Sequence, residues 1–318
     1  MVEIGFKLAS EVFGPQELIN YAKHAEEAGF DFAGISDHYH PWISRQGNSP
    51  FVWSTLGGIS QVTENLNLIT GVTCPTIRQH PALVAQAAAT VAKMMPGRFT
   101  LGVGSGENLN EHIYGDHWPP APIRIDMLAE AVDVIRTLWQ GGMQDYEGLY
   151  YHVENAQIYT LPEELPSIFM AADGPIAATT AGNCGDGLIV GGGKKELLDI
   201  FNESGGKGKP AYSEVSLSYA KTDEKAVDLV YEYWPLMAVK GKLSWEIPTP
   251  THFEGLVKNV KKEDIPKRIT CSSDPQMHID KIKKNIDAGF DLICIQHIGN
   301  NQDECIDFYK EEVLPEVR

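Results

Sequence analysis

A four-residue phrase occurs near both ends of the chain, and each copy joins an amphipathic helix to an apolar strand. Ala28–Asp31 and Ala288–Asp291 both read Ala-Gly-Phe-Asp, and each is followed by apolar residues. A glycine after a helical segment supplies the left-handed conformation that ends a helix. A looser third copy, Ala181-Gly182, precedes Gly187–Val190. Joints of this kind are typical of a parallel barrel in which strands and helices alternate.

The same alternation extends along the whole chain and indicates eight strands separated by helices. The strands are predicted at Val2–Ala9, Phe32–Ser36, Leu66–Val72, Phe99–Val103, Ile168–Ala172, Leu188–Val190, Val215–Ala220 and Leu292–Gln296. The helices are predicted at Gln16–Ala28, Phe51–Thr63, Pro81–Met95, Ala121–Trp139, Pro175–Gly182, Lys195–Phe201 and Asp303–Leu314. This order predicts the α/β class and a single (β/α)8 TIM-barrel domain over residues 1–318.

Two stretches, residues 107–120 and 234–274, do not fit the repeat. In a barrel, insertions that follow strands lie at the carboxyl-terminal face and shape the pocket there. A doubly wound open sheet is the alternative fold. The first strand is not followed by a GxGxxG turn leading into a helix, which disfavours that alternative.

Charge and cysteine content narrow the classes of partner. The chain has 318 residues and a formal net charge of -17. An acidic surface disfavours nucleic acids and anionic membranes, although a local basic cluster still allows an anionic small molecule. The five cysteines show no CxxC spacing, so neither a disulfide framework nor a zinc site is indicated. The sequence shows neither a signal peptide nor an apolar run of about 18 residues, so we predict a cytoplasmic protein.

Polar side chains follow several of the predicted strands, where the chemistry of a barrel lies. Glu11 follows the first strand, Asp37, His38 and Trp42 follow the second, and Glu107 follows the fourth. A histidine and carboxylates beside an indole suit proton transfer next to a flat cofactor. Each residue also has a structural interpretation. Asp37 and His38 can cap turns, Trp42 can be a packing residue, and Glu107 can belong to a tight turn.

Two glycine-rich stretches suggest close approach of the backbone to a ligand. Ser105 lies between Gly104 and Gly106, and Lys194 follows three glycines at a predicted helix start. Glycines of this kind can expose amides to an anion, although both stretches can equally be plain turns. The second lacks the GxxxxGK[ST] pattern of ATP sites. No HExxH or comparable spacing is present, so no metal is implied.

Taken together and in order, these motifs carry a resemblance that covers nearly the whole chain. The matching stretches are Gly5–Lys7, Ala9–Glu11, Ser36–Trp42, Thr73–Thr76, His80–Ala82, Ala85–Gln86, Pro96–Phe99, Leu101–Glu111, Ala171–Pro175 and Ser273–Pro275. The chain resembles the luciferase-like superfamily of flavin and deazaflavin barrels, and within it the F420-dependent glucose-6-phosphate dehydrogenase-like group.

The resemblance implies coenzyme F420 as cofactor, hydride transfer at a CH–OH group, and a homodimer. It implies that His38 and Glu107 are the acid/base pair, that Trp42 stacks beside the reacting centre, and that Glu11 lines the substrate pocket. It also implies a cis peptide bond between Gly71 and Val72. The implied cofactor-binding residues are Asp37, Gly71, Val72, Cys74, Ser105, Asn110, Asp173, Gly174 and Ile176.

The implied substrate is a sugar phosphate such as glucose 6-phosphate, but the match at this subsite is incomplete. The family holds the phosphate with a threonine, two lysines and an arginine. Lys194 and Arg268 match one lysine and the arginine, while Gly191 stands at the threonine position. The second lysine falls in residues 240–243, where Lys242 fits better than Lys240.

Asp173 replaces a usual glycine of the family, which places in doubt the contacts near the negatively charged tail of the cofactor. The alternatives are an F420-dependent secondary alcohol dehydrogenase or another F420-dependent reductase. An FMN-dependent monooxygenase of the same superfamily and a non-catalytic cofactor carrier are further alternatives. The set of His38, Trp42 and Glu107 favours F420 over FMN, and mere binding of a cofactor does not require these side chains.

Overall fold

A closed parallel barrel forms the centre of the computed structural model, which describes residues 2–239 and 243–318. The strands are β1 (Glu3–Leu8), β2 (Phe32–Ile35), β3 (Asn67–Thr70), β4 (Phe99–Val103), β5 (Gln144–Glu147), β6 (His152–Ala156), β7 (Ile168–Ala171), β8 (Gly187–Gly191), β9 (Ala211–Ser218), β10 (Thr270–Cys271) and β11 (Leu292–His297). Strands β1, β2, β3, β4, β7, β8, β9 and β11 pair in that order, and β11 returns to pair with β1. The predicted (β/α)8 barrel is therefore confirmed.

Helices surround the barrel and connect successive strands. They are α1 (Pro15–Ala28), α2 (Val52–Ile59), α3 (Pro81–Met94), α4 (Asn108–Glu111), α5 (Ala121–Leu138), α6 (Pro175–Cys184), α7 (Lys195–Phe201), α8 (Asp223–Tyr233), α9 (Pro250–Val257), α10 (Pro275–Asp287), α11 (Gln302–Phe308) and α12 (Leu314–Val317). In the part of the chain that the structure describes, none of these helices combines the length and apolar character needed to cross a membrane.

At two of the three repeated joints the glycine ends the preceding helix, as the sequence predicts. Gly29 and Gly289 have φ values of 94° and 101°, so both adopt the left-handed conformation that favours glycine. The third copy is different, because helix α6 runs past Gly182 and ends at Cys184. A side chain at Gly182 would meet the carbonyl oxygens of Phe201 and Ser204 at 2.7 Å. This glycine therefore allows close packing inside the helix instead of ending it.

Several elements are absent from the sequence-based prediction. Strands β5 and β6 form an antiparallel hairpin whose residues are mostly exposed, so they carry little apolar alternation. The two stretches outside the repeat contain short elements, namely α4 in one and α9 and β10 in the other. Helix α10 has a recognisable start that the prediction missed, since the Asp274 side chain caps it and Pro275 occupies its first turn.

The final predicted helix, Asp303–Leu314, is divided into three parts. Helix α11 ends at Phe308, a π-helical turn covers Tyr309–Val313, and α12 follows it. Tyr309 and Val313 within this turn are buried against the core, so the turn keeps its apolar side on the barrel.

Candidate active site

Three predicted catalytic side chains meet at the carboxyl-terminal end of the barrel. The Nε2 atom of His38 lies 3.5 Å from Oε1 of Glu11, so the loop after β2 reaches the loop after β1. The His38 and Trp42 rings have centroids 5.1 Å apart and are tilted by 58°. Trp42 also contacts the buried ring of Phe253 in α9, so the second insertion packs against this group of residues.

Asn110 connects His38 with Glu107. Its Oδ1 accepts hydrogen bonds from the backbone N–H groups of Tyr39 and His40, at 2.9 and 3.1 Å. The amide is therefore oriented with Nδ2 towards the two candidate acid/base residues. Nδ2 lies 3.2 Å from Nδ1 of His38 and donates to Oε2 of Glu107 at 3.3 Å. The structure thus brings together the acid/base pair that the resemblance implies.

The His38 ring has a partner in either protonation state of its Nδ1 atom. A deprotonated Nδ1 accepts from the Asn110 amide, and a protonated Nδ1 donates to the His40 carbonyl oxygen at 3.1 Å. A side chain that acts as an acid and as a base must be stabilised in both states. This arrangement therefore suits proton transfer at His38.

The Glu11 carboxylate is buried but incompletely satisfied. Its residue is 3% exposed, and its Oε2 atom has no hydrogen-bond partner among the described residues. Buried polar atoms without partners are rare in folded proteins and commonly mark places where a ligand binds. Oε2 of Glu11 is therefore a buried acceptor that the described residues leave unused.

A buried triad of charged side chains lies beside this group. Nη2 of Arg78 donates to Oδ1 of Asp37 at 2.8 Å, and Nε of Arg78 donates to Oε1 of Glu111 at 3.4 Å. The Arg78 backbone N–H also donates to Glu111, at 2.7 Å. Because Asp37 precedes His38 and Glu111 follows Asn110, the triad fixes the two chain segments that carry His38 and Asn110. Sequence reasoning missed Arg78 and Glu111.

The Asp37 carboxylate, which the resemblance assigns to the cofactor, makes three internal contacts. Besides Arg78, it accepts hydrogen bonds from Thr73 Oγ1 at 2.9 Å and Gln79 Nε2 at 2.7 Å, both at Oδ2. A carboxylate has about four acceptor positions. Asp37 therefore has room for one further donor while it anchors the loop before His38.

Burial raises the pKa of Glu111 to about 7, against the opposing effect of the Arg78 charge. Because the folded protein holds this proton more tightly than the unfolded chain, stability is fully present below pH 4.5 and is lost as the pH rises through about 7. We expect Glu111→Gln to flatten the pH dependence of the free energy of unfolding in this window. Urea denaturation at several pH values measures it, with Glu147→Gln on the exposed hairpin as control. An unchanged pH profile would contradict this assignment.

The other implied cofactor-binding residues surround the same mouth. The predicted cis peptide bond between Gly71 and Val72 is present. Val72 is half-buried, and a side chain at Gly104 would come within 2.6 Å of its Cγ2 atom. Ser105 is half-buried and Cys74 is buried, with its Sγ atom 3.0 Å from Thr76 Oγ1. On the opposite side, Gly174 precedes α6 and Ile176 in its first turn is 57% exposed.

Lys7 is a buried cation beneath this mouth that sequence reasoning missed. Its Nζ atom donates to the Gly71 carbonyl oxygen and to Oε2 of Glu214, both at 2.7 Å. The charge of Glu214 helps to keep the pKa of Lys7 above its usual value although burial opposes this. The available signal was a lysine next to the apolar residues Phe6 and Leu8 in a strand, since unpaired burial of such a charge is very unfavourable.

The predicted substrate wall is only partly assembled. Lys194, directly before α7, forms an ion pair with Asp173, which follows β7. A side chain at Gly191 would meet nothing within 4 Å, so the position of the family threonine is open space. Arg268 is exposed and forms no ion pair within residues 2–239 and 243–318. Lys240 and Lys242 lie outside the described residues.

The described residues contain no group of three or more His, Cys, Asp or Glu side chains placed to hold a metal ion. All five cysteines are free thiols. The side chains that meet at the mouth are a histidine, carboxylates and an indole.

Comparisons of the sequence and of the fold with known proteins identify the relatives of this chain. The sequence model of the luciferase-like monooxygenase family matches residues 2–292. An F420-dependent glucose-6-phosphate dehydrogenase from Microbacterium testaceum is 35% identical, with 100% of this chain and 98% of the relative covered. A protein of the same name from Nocardia farcinica is 36% identical over the same shares. The structure of an F420-dependent secondary alcohol dehydrogenase with an F420-acetone adduct superposes with a TM-score of 0.92 at 29% identity, covering 100% of this chain and 99% of that one.

Proposed function

The chain belongs to the luciferase-like monooxygenase family, and we propose that it is a coenzyme F420-dependent dehydrogenase that transfers a hydride between F420 and the CH–OH group of a small molecule. The observation that carries this proposal is the contact chain from Glu11 through His38 and Asn110 to Glu107, with Trp42 packed on the histidine. Hydride transfer from an alcohol requires removal of the hydroxyl proton, and this arrangement supplies two candidate bases.

The residues at the mouth fit a flat deazaflavin. Val72 is half-buried and apolar, and Gly104 allows its Cγ2 atom to lie close to the backbone, since a side chain at Gly104 would come within 2.6 Å of it. When bound, the deazaflavin supplies a carbon atom that accepts or donates the hydride. We propose that the cofactor is held by the residues that the resemblance implies on both sides of the mouth. They are Asp37, Gly71, Val72, Cys74, Ser105, Asn110, Gly174 and Ile176.

The protein side chains divide the proton chemistry among them. Either His38 or Glu107 takes the hydroxyl proton of the substrate, and Asn110 holds the two residues at a fixed separation. Oε2 of Glu11 accepts a hydrogen bond from a substrate hydroxyl and so orients the substrate. Trp42, supported by Phe253, packs beside the reacting centre and excludes water from it.

Two classes of substrate fit this site. A sugar phosphate such as glucose 6-phosphate is supported by the names of the curated relatives, and Lys194, Arg268 and Lys242 are then its phosphate ligands. A secondary alcohol is supported by the similarity to the alcohol dehydrogenase structure and by the engagement of Lys194 with Asp173. Both reactions need the same acid/base residues and differ only at the opposite wall.

Mixing the purified protein with oxidised F420 and each candidate substrate tests the function directly. We expect the visible absorbance of F420 to fall when an accepted substrate is added, because the deazaflavin is reduced. Glucose 6-phosphate and a small secondary alcohol are the first two candidates. Retention of FMN during purification, or an unchanged spectrum with every sugar phosphate and alcohol, would contradict the proposal.

We also propose that the chain acts as a single domain in a cytoplasmic homodimer. Free thiols at all five cysteines suit a reducing compartment. Exposed apolar side chains at Phe51, before α2, and at Leu83, in α3, suit a subunit contact on that side of the barrel. The mass of the protein in solution, measured by sedimentation, tests the oligomeric state.

A further inference from the structure

We infer that Asp173 is a specificity-determining residue that occupies Lys194 and so disfavours a phosphorylated substrate relative to an uncharged alcohol. This inference rests on the proposed function, because it concerns the substrate wall of the same site. It assigns Asp173 to the substrate side of the mouth, whereas the resemblance places it among the cofactor contacts.

The ion pair joins two loops that follow neighbouring strands. Asp173 lies after β7 and Lys194 lies after β8, and these strands pair directly in the barrel. Each of the two side chains is 40% exposed, so the pair lies at the rim and is accessible to a ligand. A phosphate group that binds Lys194 must therefore compete with a carboxylate that is already in place.

The surrounding charges do not compensate for this competition. Within the described part of the chain, Lys7, Arg78 and Lys194 are already paired with carboxylates, and Arg268 is the one cation of the implied phosphate site without an ion pair. Glu11 and Glu107 add further negative charge. A dianion entering this site meets like charges, which is unfavourable. The pairs are Lys7 with Glu214, Arg78 with Asp37 and Glu111, and Lys194 with Asp173.

Glycine at the position of the family threonine also disfavours a phosphorylated substrate. Gly191 leaves open space where a hydroxyl donor would face the phosphate. Neutral alcohols need neither this hydroxyl nor the lysine, because the hydroxyl group that reacts is proposed to bind at Glu11 and the acid/base pair on the opposite wall. The wall that contains Asp173 and Lys194 therefore selects substrates by charge. The wall that contains His38 and Glu107 performs the chemistry.

The test measures binding of inorganic phosphate by calorimetry in the full-length protein, without reference to turnover. Asp173→Asn keeps the shape of the side chain and removes its charge. Because an exposed ion pair contributes at most about 1 kcal/mol, we expect phosphate to bind about two- to fivefold more tightly to this variant. The matched control is Asp199→Asn, which removes the same charge from an exposed pair with the adjacent Lys195 in α7. Its phosphate affinity should stay within about twofold of the wild type.

The double variant Asp173→Asn/Lys194→Ala identifies the group that gains the phosphate. We expect it to lose the gain in affinity, because the phosphate contacts Lys194. A gain that persists in the double variant, or an equal gain in Asp199→Asn, overturns the inference by showing a general charge effect. A phosphate affinity of Asp173→Asn that equals the wild type also overturns it.

A second measurement distinguishes an effect of Asp173 on the substrate from an effect on the anionic tail of the cofactor. Quenching of F420 fluorescence gives the dissociation constant of the cofactor for the same variants. We expect Asp173→Asn to leave it within about twofold, since the pair acts at the substrate wall. A change in F420 affinity without a change in phosphate affinity would overturn the inference. Failure of the wild type to bind F420 at all would contradict the proposed function instead, while the phosphate titrations would remain readable.

Discussion

Turnover is expected to fall by about 10²–10⁴-fold when His38 is replaced by Ala or Glu107 by Gln, the usual contribution of general acid/base catalysis. The reason is that His38 and Glu107, which both contact the Asn110 amide, are the two proposed acid/base groups. Binding of F420 should survive in both variants, because neither residue belongs to the set proposed to hold the cofactor. Steady-state reduction of F420 measures turnover, and fluorescence quenching measures cofactor binding.

The hairpin offers a matched control for these two substitutions. His152 lies 3.8 Å from Glu147 on β6 and β5, and both side chains are mostly exposed. His152→Ala and Glu147→Gln remove the same groups from exposed positions on the hairpin, and we expect both to retain wild-type turnover. The double variant His38→Ala/Glu107→Gln should be much less impaired than the product of the single effects, because residues that act as a unit are not additive. Unchanged turnover in either single variant would contradict the assignment.

The fold was predictable from sequence because its joints are local. Gly29 and Gly289 need positive φ values, and each is followed at once by a buried strand, so a short pattern defines a helix end and a strand start. The β5–β6 hairpin was not predictable in the same way. Its strands lie on the surface and consist mostly of polar residues. The hydrophobic periodicity from which strands are predicted is therefore absent there.

The candidate site was predictable where residues follow strands and not where distant segments meet. Glu11, His38 and Trp42 follow β1 and β2, and the barrel brings such ends together. Asn110 lies 72 residues beyond His38, and its bridging amide becomes visible only when the backbone N–H groups that orient it are in place. The pairing of Lys194 with Asp173 is similar, since sequence alone suggested both residues and assigned them to different ligands.

Replacing Arg78 with Met is expected to lower the free energy of unfolding by about 3–5 kcal/mol, the usual effect of removing one partner from a buried ion pair. The substitution leaves Asp37 and Glu111 buried without their counter-ion, and their side chains are each 1% exposed. Urea denaturation at pH 8 is the suitable measurement, because Glu111, whose pKa is about 7, is then largely ionised. Arg136→Met provides the control, since its pair with Asp186 is about 40% exposed and should contribute at most about 1 kcal/mol.

A second substitution distinguishes loss of the counter-ion from loss of packing. Arg78→Met/Glu111→Gln removes one of the two stranded carboxylates, so we expect it to recover part of the stability that Arg78→Met loses at pH 8. If packing alone were responsible, the double variant would be no more stable than the single one. A loss in Arg78→Met no larger than that in Arg136→Met would contradict the role of the triad. Because the triad holds the segments that carry His38 and Asn110, we expect Arg78→Met also to slow F420 reduction. The double variant should regain part of that rate along with its stability.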